Sequence, residues 1–318
     1  MIAGDDIPDI PDYVVVSSLR VHAPTSVIFV CGGEVDLNAD QPRSLRDALL
    51  RVSHRSILAK YDVHRAEEME WAFPHGEHVE LLEFEADIAQ ISDLIILFSE
   101  SPGSLTELGA FSVIDEIARR MLVFVDDKNF ADPSFIKLGP LNYLMHTYGE
   151  DYVSVLQLLE LDIETINRPQ GLNLDAFNRA TDGPLAFRLR KKIEPSRFDK
   201  TRNGHVTKLI TGLIQHYAAL TLDEIDVLLY CMDITIPRES IRKHLSCAEL
   251  VGWVLKEKRG IVTYFAAIEG NRALHFDLLP HSTKLDRTRW RADILGYWKN
   301  REPDRFASIQ AALRRSSA

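Results

Sequence analysis

The sequence predicts two architectures in series: a doubly wound α/β unit built on a mostly parallel sheet, then a mainly α-helical unit. Three observations carry this prediction. Over the first half, short β-branched apolar runs alternate with helical patterns, as a parallel sheet covered on both faces requires. After about residue 204 the pattern is almost wholly helical until it reaches a β-hairpin signature. The charge also changes sign: residues 1–169 hold 12 Lys+Arg against 30 Asp+Glu, whereas residues 170–318 hold 25 against 17. At 318 residues the chain is long enough for two such cores.

Val27–Gly33 (Val-Ile-Phe-Val-Cys-Gly-Gly) reads as a buried parallel strand ending in a tight turn. A helix fits Pro42–Ser56, with Leu45, Leu49, Leu50 and Val52 on one side, and Tyr61–His64 is a second, shorter strand. A helix over Val79–Ile91 leads into Asp93–Phe98, the strongest strand signal in the chain. After Ser-Glu-Ser-Pro-Gly, a helix is expected from about Leu105 to Arg119. Met121–Val125 forms the next strand, closed by Asp126 and Asp127. Residues 168–204 are rich in Asn, Arg, Pro, Gly and Asp and carry the basic stretch Arg188-Leu-Arg-Lys-Lys192, which reads as a partly helical connector.

Beyond it, Val206–Ala219 and Leu222–Met232 repeat apolar residues at helical spacing, the second after Thr221, a good N-cap type. Ile236–Leu245 places a proline near a helix start and exposes Arg238, Arg242 and Lys243. Trp253–Leu255 and Ile261–Phe265 flank Lys256-Glu-Lys-Arg-Gly260, a hairpin with a charged tip. Helices followed by a basic hairpin predict a winged helix-turn-helix, in which a helix fits a major groove and the wing reaches phosphates. The chain then divides into an N-terminal extension (1–24), an α/β domain (25–167), a connector (168–204) and the C-terminal domain (205–318).

Composition excludes other classes. A hydrophobic content of 46% and a charged content of 26% are ordinary for a globular protein. No apolar run approaches the ~20 residues that a membrane span needs, so no membrane association is expected. The acidic N-terminus has neither the basic nor the apolar region of a signal peptide, so the expected location is cytoplasmic. Cys31, Cys231 and Cys247 lack CxxC spacing and read as reduced thiols. The basic C-terminal half suggests contact with nucleic acid, or docking on the acidic half.

Ligands of a parallel sheet sit beyond the C-terminal strand ends. Two loops of small residues fall there: Gly32-Gly33, and Ser101-Pro102-Gly103-Ser104. Such loops let a backbone approach a phosphate, and a helix start attracts anions. Glu107 follows at once. Ser104-Leu-Thr-Glu107 matches the S-x-x-E capping box, so Glu107 is either a helix cap or a reactive carboxylate. Gly109 weakens a helix unless something packs or binds nearby. Asp127, at another strand end, could bind a ribose hydroxyl or start a turn. His75-Gly-Glu-His78 has the spacing of two metal ligands but no further cluster beside it, and reads as a polar loop. No cofactor or metal is expected. Trp290 and Trp298 read as packing residues.

Val30-Cys-Gly-Gly-Glu-Val35, Ser99–Phe111 and Ser134-Phe-Ile-Lys-Leu-Gly-Pro-Leu141 together resemble the effector proteins of retrons, in preserved order over about residues 25–165. That resemblance implies a nucleoside 2-deoxyribosyltransferase-like domain followed by a winged-helix-like region. It also implies an antiviral role as a toxin, held inactive by a retron reverse transcriptase and its DNA–RNA hybrid. The implied activity is hydrolysis of a nucleotide N-glycosidic bond, with NAD the leading substrate. Glu107 matches the transferase nucleophile, and Glu85 falls where the transferases carry an acidic general acid/base. Homo-oligomerisation is expected by the same analogy. Two departures, Ser101 where the transferases carry an aspartate and Phe29-Val-Cys where a tyrosine tends to stand, favour hydrolysis over base exchange. The alternatives are a nucleotide-sensing module with a DNA-binding winged helix, and a phosphoribohydrolase acting on nucleoside monophosphates.

Overall fold

The computed structural model describes residues 10–53, 56–65, 81–190, 194–280 and 287–316. They fall into two compact units, one of residues 26–192 and one combining residues 1–25 with 193–318. The chain first contributes strand β1 (Arg20–Val21) to the second of these. It then builds the α/β unit.

That unit is a five-stranded sheet of β2 (Val27–Cys31), β3 (Asp62–Arg65), β4 (Leu94–Phe98), β5 (Met121–Asp126) and β6 (Val153–Leu156), in the order β3-β2-β4-β5-β6. Every pairing is parallel. The expected mostly parallel sheet is therefore present. β2, β4 and β5 are buried along their whole length, which is why they read as unbroken apolar runs without alternation. Counted within the sheet, the order is 2-1-3-4-5, a doubly wound arrangement whose direction of winding reverses between the first and third strands, β2 and β4.

The covering helices begin with α1 (Leu45–Val52), capped by Ser44, whose hydroxyl accepts the Asp47 N–H. α2 (Leu81–Ile91) precedes β4, and α3 (Pro102–Ser112) follows it. The helix expected to run on to Arg119 breaks after α3; α4 (Asp115–Ala118) is a separate turn with its N-cap at Ile114 in extended backbone. α5 (Asp127–Ala131) and α6 (Asn142–Tyr148) lead to β6, the edge strand that sequence pattern alone did not reveal.

α7 (Leu174–Leu189) lies in the stretch read as a connector and belongs to this unit. Its buried residues Phe177, Thr181, Leu185 and Arg188 recur at helical spacing as one narrow stripe. Phe177 reaches the Phe98–Phe124 ring pair, itself stacked at 5.0 Å. Arg188 is spent internally: its guanidinium sits 3.6 Å from the Tyr152 ring centroid and pairs with Asp151 at 3.3 Å.

The other unit combines both ends of the chain. β1 pairs antiparallel with β7 (Ser196–Arg197) on one side and β11 (Leu274–His275) on the other. The Ile10 N–H donates to the Tyr217 hydroxyl at 2.7 Å, so the N-terminal segment is packed into this unit's core. Around it run α8 (Asn203–Tyr217), β8 (Ala219–Leu220), α9 (Leu222–Cys231) and α10 (Arg238–Leu250), then β9 (Val254–Arg259) and β10 (Val262–Ala267). Thr221 caps α9 in a complete capping box with Glu224. The small sheet has the order β8-β10-β9, all antiparallel.

The hairpin tip is Gly260-Ile261, with Gly260 at φ +59°, the glycine position of a tight two-residue turn. The basic residues Lys256 and Lys258 therefore lie along β9, exposed on alternate positions, and not in the loop. α11 (Arg287–Arg301) and α12 (Pro303–Ser316) close the unit. Trp298 is fully buried and donates to the Tyr217 carbonyl at 2.8 Å, so it is a packing residue. Among the described residues no helix is long and apolar enough to cross a membrane.

Candidate functional site

The two loops singled out in the sequence meet at the point where the sheet's winding reverses. β2 ends in Cys31 and delivers Gly32-Gly33; β4 ends in Phe98 and delivers Ser99-Glu100-Ser101. Because β2 and β4 are hydrogen-bonded neighbours in parallel register, the loops emerge side by side. The Ser101 hydroxyl donates to the Gly32 carbonyl at 3.1 Å and ties them together.

The residue that organises this region is Glu100, which sequence reasoning missed. It is 4% exposed. Its carboxylate accepts the Gly33 N–H at 2.8 Å, the Leu45 N–H at 2.7 Å and the Arg46 N–H at 3.0 Å. An internal anion thus occupies the N-terminus of α1, the kind of position that attracts phosphates. Burial pushes the Glu100 carboxyl above its usual range, while the three N–H donors and the Arg46 charge pull it back. Arg46 is itself buried and donates from Nε to the Gly33 carbonyl at 2.7 Å.

This packing explains both glycines. A Cβ on Gly32 would lie 2.7 Å from the Arg46 Cβ and from a Glu100 oxygen, and one on Gly33 would lie 2.7 Å from the Ser44 Cβ. The Gly33 N–H, expected to face a phosphate, is committed to Glu100. The start of α3 is different: among the described residues, a Cβ on Gly103 would meet nothing closer than the Ser101 hydroxyl at 3.8 Å, so their packing does not impose this glycine.

The capping box expected between Ser104 and Glu107 forms one turn earlier. Ser101 is the N-cap and accepts the Ser104 N–H at 3.1 Å, while the Ser104 hydroxyl accepts the Ser101 N–H at 3.0 Å. Pro102 decides the register, because proline is best tolerated in the first helical position, where its missing N–H costs nothing. Glu107 therefore sits in the second turn, and its carboxylate is not consumed by the cap.

Cys31 supplies the bearing on both acidic candidates. Its thiol is fully buried. Burial raises it well above the usual thiol range, reinforced by the Glu107 charge, a hydrogen bond to Glu107 and the Glu85 charge, with Arg46 opposing. The S–H stays protonated at neutral pH and donates to Glu107. Glu85, on α2, is buried at 9% exposure, and Glu107 is half-buried. The carboxylates singled out from sequence thus act on one thiol at the C-terminal end of β2. Cys31 had read only as a reduced thiol, because its partners lie 54 and 76 positions away in the chain.

The remaining candidates are placed as follows. Asp127 is half-buried in the first turn of α5, at the C-terminal end of β5, next in the sheet to β4. Its neighbour Asp126 is buried and caps that helix by accepting the Asn129 N–H at 2.9 Å. His75 and His78 lie outside the described residues. Among the described residues no group of three or more His, Cys, Asp and Glu could hold a metal ion. Gly109 borders a groove with Phe135, Leu138 and Tyr143, and among the described residues a Cβ there would meet nothing within 4 Å.

Comparison with known proteins gives three matches. A family model described as "STM3845 retron effector protein" matches residues 42–256. A protein of Escherichia coli named "Retron Ec86 putative ribosyltransferase/DNA-binding protein" is 37% identical over 117 residues, covering 37% of this chain and 36% of that one. A second from the same species, "Retron Ec73 putative ribosyltransferase/DNA-binding protein", is 26% identical over 162 residues, covering 48% of this chain and 49% of that one. The chain thus matches about a third to a half of the length of these curated relatives.

Proposed function

The chain belongs to the STM3845 retron effector family, and from that premise we propose that its α/β unit cleaves the N-glycosidic bond of a nucleotide, NAD foremost. The observation that carries this reading is the hydrogen bond between the Glu107 carboxylate and the buried Cys31 thiol, which also feels the Glu85 charge, at the strand ends where a doubly wound sheet binds its ligands. The names of the Escherichia coli relatives, which include ribosyltransferase, support a glycosyl-transfer chemistry. The site is that of a nucleoside 2-deoxyribosyltransferase-like domain.

In this mechanism the Glu107 carboxylate attacks the anomeric carbon of the ribose. The carbon–nitrogen bond breaks, and its electron pair leaves with the base. Nicotinamide is bound as a cation and departs neutral, so it needs no proton. Water then attacks the glycosyl ester, Glu107 is regenerated, and the sugar is released. Such retaining chemistry uses two carboxyl groups ~5 Å apart, the separation this mechanism requires of Glu107 and Glu85. Glu85 orients the ribose and receives the proton of the attacking water. The Cys31 S–H holds the Glu107 carboxylate in its direction of attack. Gly32 and the Ser101–Ser104 turn border the nucleotide, and Asp127 reaches a ribose hydroxyl. Ser101 is occupied as the N-cap of α3, which fits hydrolysis better than exchange between bases.

The substrate is tested by offering NAD, AMP and deoxynucleosides in parallel to the purified full chain and resolving the products. NAD is expected to yield nicotinamide and ADP-ribose at the highest rate. Cleavage of AMP in its place would make the enzyme a phosphoribohydrolase, and turnover of none of them would leave a nucleotide-sensing module.

The C-terminal unit has the element order of a winged helix, α8-β8-α9-α10-β9-β10, and a sheet order of β8-β10-β9 that supports the same reading. Arg242 and Lys243 on α10 and Lys256 and Lys258 on β9 are among its exposed cations. Arg238 pairs with Asp223 and Asp226 and contributes less to an outside partner. We assign this face to the retron's DNA–RNA hybrid, whose retention together with the reverse transcriptase keeps the effector inactive. Affinity for such a hybrid is expected to fall steeply with salt, as each neutralised phosphate releases counterions. Replacing Lys256 and Lys258 with Gln should flatten that slope. Salt-insensitive binding, or binding carried wholly by residues 26–192, would contradict the assignment.

A further inference from the structure

The C-terminal unit contains a cavity of about 460 Å³, within the range of small-molecule sites. It lies where the end of α8, the segment 268–276, α11 and α12 come together. One wall is aromatic. The His216 and Trp290 rings stack with centroids 4.5 Å apart at 23°, and Phe276 meets His216 edge-on at 6.1 Å. The Trp290 indole is fixed by donating to the His216 carbonyl at 2.7 Å.

The cationic side is also built. Arg272 lines the cavity, and the backbone on each side of it is clamped by one side chain. The Gln215 amide donates to the Asn271 carbonyl at 3.0 Å and accepts the Ala273 N–H at 2.8 Å. The Asn271 N–H in turn donates to the Pro24 carbonyl at 2.7 Å, and the Ala273 carbonyl accepts the His22 N–H at 2.9 Å. The Arg272 guanidinium lies 4.7 Å from the Phe276 ring centroid. Arg291 lines the same cavity and pairs with Glu269 at 2.9 Å, both more than half exposed. Burial, and then the Arg272 charge, hold the His216 imidazole down to about 3, so His216 is neutral at physiological pH. Among the described residues, the cavity lining carries two guanidiniums against one carboxylate.

An aromatic wall beside a pre-positioned guanidinium suits a ligand with a planar ring at one end and an anion at the other. A phosphate suits two arginines, because guanidinium binds phosphate through parallel hydrogen bonds. We propose that this cavity binds a nucleoside monophosphate, with the base on the His216–Trp290–Phe276 wall and the phosphate on Arg272 and Arg291. The site is separate in sequence and in unit from the carboxylate site of the α/β unit, and it stands whether or not that site is catalytic. It provides the effector with a place where a small nucleotide can act on the unit assigned to nucleic-acid binding.

The test is calorimetric titration of the full chain carrying Glu107→Gln, which removes any turnover, with AMP, adenosine and inorganic phosphate as probes. AMP should bind at a site that Arg272→Gln weakens, any binding by the α/β unit being the part this substitution leaves unchanged, and adenosine or phosphate alone should occupy that site at least tenfold more weakly. Arg272→Gln should weaken AMP at least tenfold, and Arg272→Lys should recover part of the loss, with near-ultraviolet circular dichroism unchanged in both. No AMP binding in the millimolar range, or an affinity that Arg272→Gln leaves intact, overturns the proposal. If the circular dichroism shows that Arg272→Gln disturbs the unit, Arg291→Gln at the exposed rim replaces it, with the same tenfold criterion.

Discussion

Glu100→Ala is expected to destabilise the α/β unit by about 3 kcal/mol and to abolish base release. The substitution leaves the N–H groups of Gly33, Leu45 and Arg46 without their common acceptor in a buried place. Each buried donor without a partner costs roughly 1–3 kcal/mol. The losses do not add fully, and removing a carboxylate that burial already disfavours returns part of them. A loss of about 3 kcal/mol is a large share of a typical stability of roughly 5–15 kcal/mol. The activity should fall further than the stability explains, because the Gly32 carbonyl that receives the Ser101 hydroxyl is held in place by the same network. Denaturant unfolding measures the first effect. A midpoint equal to wild type would mean that Glu100 does not organise these loops.

Glu107→Gln has the opposite profile. Stability should change by less than about 0.5 kcal/mol, as for substitutions away from cores and caps. The cap of α3 belongs to Ser101 and Ser104, and the Gln amide oxygen can still accept the Cys31 S–H. Base release should fall at least ~1,000-fold, or ~4 kcal/mol in the barrier at 1.36 kcal/mol per factor of ten. An amide oxygen is too poor a nucleophile to form the glycosyl ester. These two outcomes would separate a carboxylate that builds the site from one proposed to react in it.

Much of the α/β unit was legible because its signals are local. Val27–Cys31 and Leu94–Phe98 are apolar runs of strand length, and the order of motifs placed both glycine-bearing loops at strand ends. The helices α8, α9 and α10 were visible by their spacing, and Thr221 by its type. What escaped depends on contacts distant in sequence. Glu100 has the local appearance of a loop acid; its role comes from partners 54 to 67 residues away. The Cys31–Glu107 contact is hidden for the same reason. β1 pairs with strands near residues 196 and 275, a partnership that no window along the chain contains. α7 was obscured by its composition, with Asp182, Gly183 and Pro184 in its middle and only one buried stripe. The misplaced capping box has a narrower cause. Ser101-x-x-Ser104 and Ser104-x-x-Glu107 are both plausible boxes, the acidic residue favoured the second, and Pro102 at the first helical position selects the first.

The central claim is that the Glu107 carboxylate cleaves the glycosidic bond of a nucleotide. Its most direct test is nicotinamide release from NAD by wild-type protein and by Glu107→Gln, side by side at equal concentration and with matched unfolding midpoints. Release by wild type and its disappearance in Glu107→Gln is the expected result. Equal rates of release by the two proteins would contradict the mechanism.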